Sequence, residues 1–189
     1  RALRSVRINF APMPDDVWNP NPFHVDGMHQ GAIQAVLDGL DDAFDSDGSS
    51  PVGVVIQGQR GTGKTHLMGW LRDQIQDRDG YFFLLSLVDP TAFWPSTVVS
   101  LLDGLTRKVK RRMPQRRTLL TRLANEGELA PELLPQILGD EQLTPQALTA
   151  FVHALRNVDD QIARDCQDTA RALVLYGSAD LETQDIGQN

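Results

Sequence analysis

The chain has 189 residues, 41% of them hydrophobic, and a formal net charge of -7, enough apolar material for one sizeable core and a small appendage. The acidic balance excludes a surface coated throughout for nucleic acid, so any such contact needs a local basic patch. A single cysteine, Cys166, excludes an internal disulfide, and no apolar run of about 18 residues marks a membrane span, so the reading is a cytoplasmic protein that does not cross a membrane.

Residues 1–23 hold four prolines and no sustained period, which predicts an extended arm, counted here as 1–25, with Trp18 and Phe23 as anchors. Ile33, Val36, Leu37, Leu40 and Phe44 fall at helical spacing and predict the first helix. The β-branched run VGVVIQ at 52–57, between Pro51 and Gly58, reads as a buried parallel strand. Leu67, Met68, Leu71 and Ile75 then predict a helix that Asp77 to Gly80 ends. YFFLLSLV at 81–88 is a second strand candidate, followed by a helical stripe of Val98, Leu101, Leu102, Leu105 and Val109.

Strand and helix alternate to residue 113 in the rhythm of a parallel α/β sheet, and beyond it the pattern is helical. Thr144 and Pro145 form a helix start ahead of Leu148, Phe151, Val152 and Leu155. Ile162, Cys166, Ala170, Leu173 and Val174 continue one register through Tyr176, with Gly177 as the C-cap. The expected organisation is an arm (1–25), the first part of an α/β core (26–113) and a helical segment or insertion (114–189). Arg1 in place of an initiator Met adds the expectation of a piece of a longer polypeptide.

Between the first strand candidate and the helix that follows lies GQRGTGKTH, residues 58–66. Gly58, Gly63, Lys64 and Thr65 satisfy G-x-x-x-x-G-K-T, with Gly61 between them. The glycines let successive N–H groups turn inward, making an anion nest at the positive end of a helix. Lys64 is placed to reach β- and γ-phosphates and serves as the catalytic candidate. Thr65 is placed to offer its hydroxyl to Mg²⁺. Gln59, Arg60, Thr62 and His66 complete the candidate ATP-binding loop, although Arg60 and His66 read better as exposed flanking residues than as a finger or a base.

Hydrolysis also needs a carboxylate that holds Mg²⁺ through water. Asp89, ending FFLLSLVD, and Asp180, ending ALVLYGSAD, are the candidates within the chain, and a carboxylate outside it is the third option.

GQRGTGKTH after VGVVI, with HVDGMHQGAIQAVLDGL upstream, resembles the start of an AAA+ or STAND-type P-loop NTPase domain, particularly the branch related to origin-recognition ATPases and their bacterial relatives. The resemblance covers about residues 20–110 and implies an α/β fold with a parallel sheet, incomplete in this chain. It implies ATP with Mg²⁺ as the ligand, places His24, Val25 and Asp26 near the adenine, and makes Asp89 structural. The function expected is an ATPase acting as a conformational switch or motor, with oligomer formation left open. The alternatives are a phosphotransferase, with Asp89 at the acceptor site, and a nucleotide-gated scaffold that never hydrolyses.

TRKVKRRMPQRR holds seven of the eighteen basic residues: Arg107, Lys108, Lys110, Arg111, Arg112, Arg116 and Arg117. It is a candidate contact for nucleic acid or an acidic protein, against the plainer reading of a solvated helix end. His24, His29, His66 and His153 lack ligand spacing, so a zinc site is not expected. Cys166, Phe82, Phe83, Phe93 and Trp94 read as packing residues.

Overall fold

A computed structural model describes residues 13–19, 30–46, 53–86, 90–109 and 113–178. The helices are α1 (Gln30–Asp45), α2 (Lys64–Asp77), α3 (Phe93–Thr106), α4 (Gln115–Glu126), α5 (Leu134–Leu138), α6 (Pro145–Val158), α7 (Asp160–Asp165) and α8 (Gln167–Tyr176), with short 3-10 turns at Pro14–Trp18, Pro90–Ala92 and Pro131–Leu133. The paired strands among the described residues are β1 (Lys108–Val109) and β2 (Met113–Pro114), which meet antiparallel with Lys108 opposite Pro114 and Val109 opposite Met113. Two compact units divide at Ser100 and Leu101.

This architecture overturns the α/β expectation. Helix accounts for 71% of the described residues, and no parallel sheet is present among them. Residues 53–57 and 81–86 carry no strand assignment. Val55 is 85% exposed, the opposite of a strand covered on both faces. The error has a physical cause: a short apolar run between turn residues has no periodicity of its own, so composition shows that it is apolar without showing that a neighbouring strand pairs with it.

In the first unit, α2 carries the packing. Leu67 and Leu71 turn inward, one helical turn apart, and both are 2% exposed. Arg72 is buried beside them, its Nη1 donating to the Val17 carbonyl at 2.6 Å while Nη2 meets Asp73 at 2.5 Å. A buried guanidinium is costly unless its donors are occupied, and here the backbone of the 3-10 turn Pro14–Trp18 occupies one. Val17 is buried in consequence, and the Trp18 ring stands edge-on to Phe82 with centroids 5.4 Å apart. Phe23, the second expected anchor, lies outside the described residues. Phe93 and Trp94 also differ from expectation. They form an edge-to-face pair at 5.0 Å, yet Trp94 is 74% exposed.

The second unit is a helical cluster in which α4, α5, α6 and α8 enclose Leu120, Ala124, Ile137, Ala147, Phe151, Leu155, Ala170 and Val174, with Ala163 of α7 at its margin. α6 begins where the sequence places it, with Thr144 Oγ1 accepting from the Ala147 N–H at 3.2 Å and Pro145 in the first turn. The single register expected from Ile162 to Tyr176 breaks at Cys166, which is exposed rather than packed. Asp159 starts α7 by accepting from the Gln161 and Ile162 N–H groups, and α8 ends at Gly177 as expected. Val109, expected on the α3 stripe, belongs to β1 because α3 stops at Thr106.

Arg116 ties this cluster together. Nearly all of its surface is buried, and it donates to the carbonyls of Leu173 (3.5 Å), Leu138 (3.3 Å) and Gly177 (3.5 Å), which lie at the ends of α8 and α5. Helix C-termini leave carbonyls without intrahelical donors and carry partial negative charge, so one cation serves two helix ends. The approach is close enough that a Cβ on Gly177 would land on the guanidinium and a Cβ on Gly139 would land on the Gly177 carbonyl.

Gly139 also caps α5 at φ +83, in the left-handed region. Gly139→Ala is therefore expected to cost about 2 kcal/mol or more, from left-handed strain and the steric overlap together. Gly31→Ala, in α1 with open space around the added methyl, is expected to be neutral or stabilising by roughly 0.5 kcal/mol. Urea unfolding of the two variants checks the contrast.

Candidate functional site

The phosphate-loop residues lie at the head of α2. Gly61 and Gly63 both adopt positive φ, +88 and +86, a region that side-chain-bearing residues enter only with strain. Each glycine of the motif thus answers to a feature of this backbone. Gly58 does so sterically, because a Cβ there would come within 2.7 Å of the Thr62 hydroxyl, which donates to the Gln59 carbonyl at 2.9 Å. Gly63 is the N-cap of α2 and has no side-chain acceptor to offer, although its carbonyl receives the Leu67 N–H at 2.8 Å. The first-turn N–H groups therefore present their positive ends toward the loop without a side-chain cap.

Lys64 closes the loop on itself. Its Nζ donates to the Gly58 carbonyl at 2.7 Å and to the Gln59 carbonyl at 2.8 Å. An ammonium is thus held within the same few residues that carry the glycine turns. Thr65 follows in the first helical turn, half-buried, and Arg60 is exposed in the turn before it. His66 is half-buried and engaged within the fold. The whole group is positioned by α2, which is in turn held by Leu67, Leu71 and the Arg72 bond to Val17.

The structure brings together Gly58, Gln59, Arg60, Gly61, Thr62, Gly63, Lys64, Thr65 and His66 as one local loop and helix start. His24, Val25, Asp26, Asp89 and Asp180 lie outside the described residues. Among the described residues, no group of three or more His, Cys, Asp or Glu side chains is arranged to hold a metal. No helix there is long and apolar enough to cross a membrane.

The basic cluster divides on inspection. Arg116 is turned into the helical core, as described above. Arg117 makes a two-pronged pair with Asp140, Nη1 to Oδ1 and Nη2 to Oδ2 both at 2.7 Å, and Nη1 also reaches the Leu138 carbonyl at 3.2 Å. Arg107 pairs with Asp103 one helical turn earlier, at 2.9 Å. Lys108 is exposed, and Lys110, Arg111 and Arg112 lie outside the described residues. Charge density in the sequence thus overstates what the described part of the cluster offers a partner, because three of its arginines have internal acceptors.

A feature with no counterpart in the sequence reading is a surface cavity of about 430 Å³ lined by Arg156, Asp160, Ala163, Arg164 and Gln167. Its residues form no linear motif. They meet because the chain bends at Asp159 between α6 and α7 and again at Cys166 between α7 and α8.

Comparison with protein-family models, with curated proteins and with solved structures finds no match. The resemblance to AAA+ and STAND-type P-loop NTPases is therefore withdrawn. No family model supports it, and the described residues, predominantly helical, hold no parallel sheet of the kind that defines such a domain. The motif letters mislead at the level of fold because they specify a loop and a helix start, not the layers around them.

The Arg117–Asp140 pair carries a measurable signature. Its hydrogen bonds hold the Asp140 carboxyl below the usual carboxylate range. The stabilisation from this pair is complete above the usual aspartate pKa and is lost as pH falls through the lowered value. In a carbon-detected NMR titration, Asp140 is expected to titrate below the usual aspartate value, and Arg117→Gln is expected to return it toward that value.

Proposed function

We propose that Gly58–His66 bind the phosphate chain of ATP together with Mg²⁺, and that binding exchanges the internal contacts of Lys64 for contacts to phosphate. The observation that carries this reading is the position of Lys64, with its ammonium already inside a loop whose glycines turn at positive φ into an α-helix. Such a nest is a property of a few residues of backbone and one helix end, so the reading stands without a parallel sheet.

The residues present fit the ligand in kind. Lys64 supplies a mobile point charge. Gly61 and Gly63 supply the close backbone approach, and α2 supplies an N-terminus free of a side-chain cap. Thr65 supplies a hydroxyl in the first turn for the cation. Mg²⁺, when bound with the nucleotide, neutralises phosphate charge and orients the phosphate chain. Loss of the Gly58 and Gln59 carbonyl contacts frees this turn to rearrange, which makes the loop a small conformational switch. We place this activity in the cytoplasm, on the single exposed thiol of Cys166 and the absence of any cysteine to pair with it.

Titration of the full chain with a fluorescent ATP analogue in the presence of Mg²⁺ tests the proposal. Saturable binding is expected, weakened about tenfold or more by Lys64→Ala through loss of a charge-assisted contact. Circular dichroism is expected to stay unchanged, because the Lys64 ammonium acts on an exposed loop. No saturation at millimolar nucleotide, or equal affinity in the folded Lys64→Ala variant, would overturn it. Phosphate release measured on the same samples separates turnover from binding alone.

A further inference from the structure

We propose that the cavity between the end of α6 and the start of α8 is a second ligand site, independent of the phosphate loop, for a small phosphomonoester that carries hydroxyl groups. The cavity measures about 430 Å³ and is lined by Arg156, Asp160, Ala163, Arg164 and Gln167. That volume lies in the range of small-molecule sites and suits a pentose phosphate better than a bare ion.

The charge pattern selects the ligand class. In a chain of net charge -7, other described arginines are committed to acids or carbonyls: Arg72 to Asp73, Arg107 to Asp103, Arg116 to helix ends, Arg117 to Asp140 and Arg171 to Asp168. Arg156 and Arg164, like Arg60 in the exposed phosphate loop, are different. Both line this one concavity, and among the described residues neither guanidinium forms a hydrogen bond or ion pair. Asp160 shares the wall with them, and among the described residues no ion pair joins it to either one. Two uncommitted planar cations at one opening match the oxygens of a phosphate.

An ionised carboxylate only accepts hydrogen bonds. Asp160 therefore disfavours a simple anion and favours one that brings hydroxyl donors with it, and the Gln167 amide can donate as well as accept. Ala163, 8% exposed, makes a small apolar floor. The competing account is that Arg156 and Arg164, each in the last turn of its helix, only balance helix dipoles. That account requires no ligand and predicts no effect of these side chains on binding.

The probe is ribose 5-phosphate, titrated into the full chain and followed by the backbone amide signals of residues 156–167. Saturable shifts are expected in the millimolar range or tighter. Arg156→Gln and Arg164→Gln are each expected to weaken binding about tenfold, with far-UV circular dichroism unchanged because both side chains are exposed. Asp160→Asn is expected to weaken ribose 5-phosphate and to leave inorganic phosphate unaffected or tighter. Lys64→Ala is expected to leave these shifts intact, so failure of the phosphate-loop reading and failure of this one remain distinguishable.

The proposal is overturned by any of three results: no saturation at tens of millimolar probe, undiminished binding in the folded Arg156→Gln/Arg164→Gln double variant, or disappearance of the shifts in Lys64→Ala. Equal binding of inorganic phosphate and ribose 5-phosphate that ignores Asp160→Asn overturns the hydroxyl part of the assignment.

Discussion

The second unit rests on the burial of one guanidinium against backbone carbonyls. Arg116 leaves the start of α4 and gathers Leu138 at the end of α5 with Leu173 and Gly177 at the end of α8. Burial pulls its pKa down from the ordinary arginine value, yet a guanidinium in a protein remains a cation. Its charge is met by the negative ends of two helices rather than by a carboxylate inside the core. Two glycines are needed for this arrangement, because any Cβ at Gly139 or Gly177 would intrude on it. The apolar cluster around Phe151 supplies burial, and the arginine determines which helix ends meet.

The first unit repeats the device with different partners. Arg72 is buried on α2 and donates to the Val17 carbonyl, so the chain preceding α1 is held against the helix that bears the phosphate-loop residues. The interaction links packing to function. α2 cannot shift far along its axis without losing that bond, and the orientation of its N-terminus sets where the Lys64 ammonium and the glycine turns lie. A loop suited to phosphate therefore sits on a helix whose position is determined by core contacts one and two turns further along, at Leu67, Leu71 and Arg72.

Helices were legible where the apolar period was long and its ends chemically marked. Thr144 with Pro145 starts α6, Gly177 ends α8, and α2 ends at Asp77. Strands were not legible, because VGVVI and YFFLL announce only apolar character, and a strand exists through hydrogen bonds to another segment. The break at Cys166 escaped notice for a related reason. A register counted at 3.6 residues per turn continues smoothly through Cys166, where α7 ends and α8 begins. For the basic cluster, counting charges could not reveal which arginines had acceptors among distant carbonyls.

Local chemistry along the chain thus accounts for the glycines at positive φ, the lysine beside them, the capping of α6 and the absence of an internal disulfide, since each depends on residues close in sequence or on composition. Tertiary structure decided the rest. Among the described residues it placed no parallel sheet, turned Arg116 inward and Cys166 outward, and, through the bends at Asp159 and Cys166, brought Arg156, Asp160 and Arg164 to one cavity. The division follows from the range of the forces involved. Backbone strain and helix capping act within a turn or two, whereas burial and the satisfaction of carbonyls depend on which distant segments the fold brings together.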